Sequence, residues 1–225
     1  MVKQIIQQVV ERSPCQFQQL ETPSEEFTFY KAAHLSYQRF LVILDSDKLS
    51  IPSELNEYIQ NNTPQSLLET PAFAKNTDLV ILFRLDSLTE LHQYEHKIFD
   101  IEENAYSLKK HILYYTETEL EKLKHYLDSG ESIETLVTES EPFNLYKKDP
   151  FKESAFSLAC RLYVKFPFLS VPAKEATLTN ANQLAEQYLS EKKLSDFYNS
   201  IELKLNVGNG YQEVMEALIN EQMAD

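Results

Sequence analysis

The chain has 225 residues, 43% of them hydrophobic, with 13 Tyr, 13 Phe, no Trp and 3 Gly. That length and composition suit a globular chain with a sizeable core, and so few glycines argue against Gly-rich phosphate loops. The net charge of −14, with no Lys/Arg cluster longer than a pair, argues against direct nucleic-acid binding.

The opening MVKQIIQQVV lacks the long apolar run of a signal peptide. The longest apolar blocks, FLVIL and LVILF, are too short to cross a bilayer, so no membrane partner is expected. Cys15 and Cys160 lie far apart and belong to no Cys-x-x-Cys pair. The expectation is a reducing, cytoplasmic setting without a disulfide framework.

Further along, EFTFYKAAHLSYQRFLVILDS reads as two strands: Phe27, Phe29 and Lys31 alternate with Thr28 and Tyr30, and Phe40 to Leu44 is continuously apolar. IPSELNEYIQNN then reads as a helix with Pro52 near its start. After a loop bracketed by Pro64 and Pro71, Leu79 to Leu85 gives another buried strand. Ser87 and Glu90 have capping-box spacing, which predicts a helix from Leu88 with Leu91 and Ile98 on its apolar face.

Tyr106, Leu108, Ile112 and Tyr114 alternate with Ser107, Lys109, His111 and Leu113, a pattern that allows a strand and leaves a helix open. Thr116 and Glu119 repeat the capping-box spacing, and Leu120, Leu123 and Leu127 share one helical face. From 100 to 141 there are eleven acidic and four basic residues, half the net charge of the chain, usable as a solvated face or as an acidic docking surface. The segment FKESAFSLACRLYVKFPFLSVP is too apolar for a linker and is assigned to the core.

The last fifty residues read as helical. Leu184 and Tyr188 make one stripe, Leu194, Phe197, Tyr198 and Ile201 a second, and NVGNG (206–210) is a turn. Tyr211, Val214, Leu218 and Met223 then predict a final amphipathic helix. The expected class is α+β, a mixed sheet core with flanking helices and a helical C-terminal segment. The expected division is 1–172 for the core domain and 173–225 for the helices.

Three chemical candidates stand out. His92, Glu95 and His96 spell His-x-x-Glu-His, which on a helix puts two imidazoles on one face to grip zinc, with the glutamate as base. A third ligand is needed, and Glu102 and Glu103 are the nearest offers. Asp45 and Asp47 follow an apolar strand, as Mg²⁺-holding carboxylates do, but Asp86 ends another strand in the same way, which is ordinary turn chemistry. Cys160 sits in an apolar stretch and reads as a packed thiol. His34, His111 and His125 have no evident triad partners. No catalytic, cofactor-binding or metal-binding residue is therefore assigned, and a small zinc metallopeptidase stands as the alternative to a protein-interaction module.

Two stretches carry a resemblance. IFDIEENAYSLKKHILYYTETELEKL (98–123) and FSLACRLYVKFPFLSVP (156–172) resemble segments of the middle components of bacterial three-component ABC defence systems, Lamassu-type anti-phage systems among them. The matching residues are Ile101 to Asn104, Lys109, Lys110, Tyr115 and Lys165 to Leu169. The resemblance implies a non-enzymatic adaptor subunit without cofactors. Its implied partners are an SMC-like coiled-coil ABC ATPase subunit and an effector nuclease subunit that it helps to restrain.

Overall fold

The computed structural model describes residues 2–21, 24–33, 38–171, 181–206, 212, 214–216 and 219. His34, the turn residues 207–210, and Tyr211, Leu218 and Met223 of the expected last helix lie outside them. Contacts divide the chain into two compact units, Met1–Pro172 and Ala173–Asp225.

The first unit is built on a five-stranded mixed sheet in the order β1-β2-β3-β4-β5. The strands are β1 (Phe17–Leu20), β2 (Phe27–Ala32), β3 (Phe40–Asp45), β4 (Thr77–Leu85) and β5 (Lys109–Thr116). β1 to β3 pair antiparallel and β3 to β5 pair parallel. The parallel half needs crossovers. α2 (Pro52–Asn62) and α3 (Gln65–Leu68) join β3 to β4; a single 3-10 turn, Leu88–Glu90, and α4 (Leu91–Glu102) join β4 to β5. The expected α+β class with a mixed sheet holds.

Side-chain alternation splits the core in two. Leu41, Ile43, Val80, Leu82 and Leu113 face one cluster, closed by α1 (Val2–Arg12), α5 (Glu117–Asp128), α6 (Ile133–Thr138) and α8 (Ala155–Lys165). Phe40, Val42, Leu79, Ile81 and Ile112 face the other, closed by α2, α3 and α4. Both faces of the central strands are therefore buried, so their sequences read as continuous apolar runs. Each such Leu or Ile contributes about 1.5–3 kcal/mol of burial free energy.

The predicted strands and the helix from Pro52 form where expected. The 106–114 alternation resolves as a strand, but it starts at Lys109. Thr116 makes the predicted capping box: its hydroxyl accepts from Glu119 N, and Glu119 accepts from Thr116 N. The Ser87 box does not form. Ser87 accepts from Thr89 N, the chain makes one 3-10 turn, and α4 begins only at Leu91. α5 stops at Gly130, whose φ of 92° is open to glycine at no steric cost. α1 and β1 had no counterpart in the sequence reading. α7 (Ser140–Lys148) follows α6 and buries none of its residues.

The second unit contains α9 (Ala181–Glu191) and α10 (Ser195–Asn206), where helices were expected. Leu184, Tyr188, Leu194, Phe197 and Tyr198 are exposed on them.

Candidate functional site

His92, Glu95 and His96 lie on α4, all three exposed. The i, i+4 spacing does put both imidazoles on one face. However, His92 Nδ1 is 2.6 Å from Thr89 O, in the 3-10 turn that precedes α4. Glu102 is turned elsewhere, to Lys165 and the Ile112 amide, and Glu103 is exposed at the end of α4. Among the described residues no group of three or more His, Cys, Asp or Glu is placed to hold a metal ion.

Asp45 closes β3 at the carboxyl end of the parallel strands, where open sheets commonly place ligands. A groove of 880 Å³ opens there, lined by Asp45, Asp47, Glu54, Lys48 and Tyr58 among others. Lys3 Nζ already occupies its acidic wall, 3.2 Å from Asp45 Oδ2 and 2.8 Å from Glu25 O. Beside it, burial, reinforced by Asp45 and Glu117, pushes the Tyr115 phenol up to about 12. That phenol stays protonated at neutral pH. Burial likewise raises the Cys15 and Cys160 thiols, opposite to the activation a nucleophile requires. His111 pairs with Asp78 at 3.6 Å, and Arg39 holds the same carboxylate at 2.9 Å. His125 is exposed near the end of α5.

The residues that carry the family resemblance form one connected arrangement. Ile101 is buried under α4. Glu102 accepts the Ile112 N–H at 2.6 Å and takes the Lys165 ammonium at 2.6 and 2.9 Å. β5 is an edge strand, so the Glu102–Lys165 pair covers backbone that would otherwise be open to another strand. Lys110, 2% exposed, reaches back to Asn104 O and Oδ1 (3.3 and 3.2 Å), Tyr106 O (2.5 Å) and Leu108 O (3.2 Å). Asn104 Oδ1 also accepts from Asn56 Nδ2 of α2 at 3.2 Å. Phe166 and Phe168 close the sheet beneath β1, with Phe168 edge-on to Phe17 at 4.8 Å. A short family pattern is thus spent largely on holding the turn between α4 and β5.

That turn displays what the network holds. Phe99 and Tyr106 are 62% and 68% exposed. Ser107 beside Tyr106 takes a left-handed φ of 65°. The neighbouring tyrosines of β5 are not displayed in the same way: Tyr115 is buried and Tyr114 is half-buried beneath Arg161. The unread signal was Lys110 inside an apolar alternation, since a lysine at a core position must find oxygen partners nearby.

Residues 39–141 match the family model of middle component 1 of ABC-three component (ABC-3C) systems. The match is a likeness over that stretch of the chain. It takes in β3 to β5 with α2 to α6, just under half of the chain, and includes the Lys110 turn. No curated protein and no solved structure matches. No helix among the described residues is long and apolar enough to cross a membrane.

Proposed function

We propose that this chain is a non-catalytic middle component, an adaptor within a cytoplasmic anti-phage complex of Lamassu type. In this reading it joins an SMC-like coiled-coil ABC ATPase subunit to an effector nuclease subunit and helps to hold the nuclease in check. The match of residues 39–141 carries the proposal. Two further features support it. The polar groups of the interior are spent on structure: Glu119 on Arg161, Ser157 and a helix cap; Glu102 on Lys165; Lys110 on a turn. The acidic stretch from 100 to 141 stands largely in solvent, with Glu117, Glu121, Asp128, Glu131, Glu134, Glu139 and Glu141 all exposed. An array of that sign steers encounter with a basic protein surface and repels phosphate backbones.

Co-expression with the ABC ATPase and effector subunits that this reading requires tests it. A complex that co-elutes on size exclusion, and loses assembly when four of those carboxylates are reversed to lysine, is the expected outcome. Failure of the wild-type chain to co-elute removes the adaptor role. Turnover of a peptide or nucleic-acid substrate by the isolated chain, abolished by one carboxylate or imidazole substitution, removes the non-catalytic part.

A further inference from the structure

The turn between α4 and β5 combines three features that ordinary loops lack. Its ends are fixed in the core, by Ile101 on one side and Leu108 on the other. Its backbone is gathered by a single buried ammonium, since Lys110 spreads its three donors over four oxygens from Asn104 to Leu108. Its tip carries a large aromatic side chain facing solvent, Tyr106, with Phe99 exposed in the preceding helical turn. Burying a lysine is unfavourable, and burial lowers its pKa here. A rigid, exposed aromatic anchor is what binding hot spots use, because little conformational entropy is lost on contact.

The surrounding charge selects the occupant. Glu95, Asp100 and Glu103 are exposed on the same segment, and α2, tied to the turn through Asn56, adds exposed Glu54 and Glu57. Lys97 and Lys109 are the exposed cations of the segment. A second copy of this chain would bring a further −14 and be repelled. The interior of the protein already shows the matching chemistry: the Arg161 guanidinium lies 4.6 Å over the Tyr114 ring while paired with the Glu119 carboxylate. An arginine over Tyr106, paired with Asp100 or Glu103, would repeat that arrangement at the surface.

We infer that the Phe99–Tyr106 turn is a docking site for an arginine- or lysine-bearing polypeptide segment of a partner subunit, and that Lys110 is the positioning residue that presents Tyr106 to it. The inference rests on the adaptor reading and names the partner chemistry at one surface of it.

The test uses the full chain co-expressed with the ABC ATPase and effector subunits. A photo-crosslinking benzoylphenylalanine replaces Tyr106, with a second placed at Phe143 as a surface control. Crosslinking from position 106 to a partner peptide of net positive charge is expected. Tyr106→Ala should weaken assembly by about tenfold or more without lowering Tm, since the side chain is solvent-facing. Asp100→Lys with Glu103→Lys should slow association and flatten its salt dependence. Lys110→Met should weaken assembly as Tyr106→Ala does, and the double variant should be no weaker than either, which a merely structural lysine would not produce. If Lys110→Met does not fold, the Tyr106→Ala and crosslinking results decide alone. Wild-type assembly with no crosslink at 106 and full affinity for Tyr106→Ala overturns this site and leaves the adaptor reading intact. So does a crosslink to a second copy or to an acidic segment. Absence of a wild-type complex removes both.

Discussion

Replacing Arg161 with Met tests how the buried carboxylate of Glu119 is tolerated. Glu119 is 0% exposed. It caps α5, accepts from Ser157 Oγ, and is neutralised by Arg161, which also covers Tyr114. Removing one partner of a buried ion pair costs about 3–5 kcal/mol, chiefly because the remaining charge stays desolvated. The cation–π contact adds about 1 kcal/mol. For a unit of this size each kcal/mol lowers Tm by about 2–4 °C, so a combined loss of about 4–6 kcal/mol should make Arg161→Met melt roughly 8–24 °C lower. Glu119→Gln keeps the capping geometry, since Gln serves at that position, and removes the charge. The double variant Glu119→Gln/Arg161→Met should therefore recover much of the loss. Urea unfolding followed by far-UV circular dichroism measures all four corners of the cycle. A loss below about 1 kcal/mol for Arg161→Met, the level of an exposed pair, would refute the reasoning. A double variant no more stable than the single one would refute it as well.

Glu102→Ala should cost about 1–3 kcal/mol by orphaning the Ile112 amide, and should raise light scattering over time as the β5 edge opens; unchanged stability and solubility would contradict the capping role. For Asp78, burial pushes the carboxyl up, but His111, 3.6 Å away, and Arg39, which donates to it, outweigh burial and hold the carboxyl below its ordinary value of 3.8. A lowered folded-state pKa gives stability that is complete above that value and lost as pH falls through the folded one. Urea midpoints should therefore drop on acidification below about pH 4, more steeply for wild type than for Asp78→Asn, and parallel acid limbs would contradict this. His92→Ala should change neither zinc content, by plasma mass spectrometry, nor melting behaviour, since the imidazole is exposed and bonded to the turn that precedes α4; stoichiometric zinc lost on that substitution would revive the metallopeptidase alternative.

The candidate site was legible in part. The capping box at Thr116 was readable because both of its members are local in sequence, three residues apart. The Ser87 box, with the same spacing, failed because the 3-10 turn sends the Ser87 oxygen to Thr89 instead. α1 was readable in principle, since Val2, Ile5, Ile6 and Val10 are buried at helical spacing. Lys110, Asn104 and Tyr106 were noted as pattern residues, yet nothing in the pattern told a buried clamp from an exposed contact.

Sequence by itself determined the class, the strands β2 to β4, the helix α2 and the acidic excess. Each depends on near-neighbour properties, namely hydrophobic runs, proline placement and fixed charge, which fold with the local chain. Tertiary structure alone decided that β3, β4 and β5 run parallel, that Glu102 meets Lys165 across 63 residues, and that Arg161 neutralises Glu119. Those outcomes depend on which faces are brought together after collapse, and a carboxylate 63 residues from its lysine carries no local mark of that meeting.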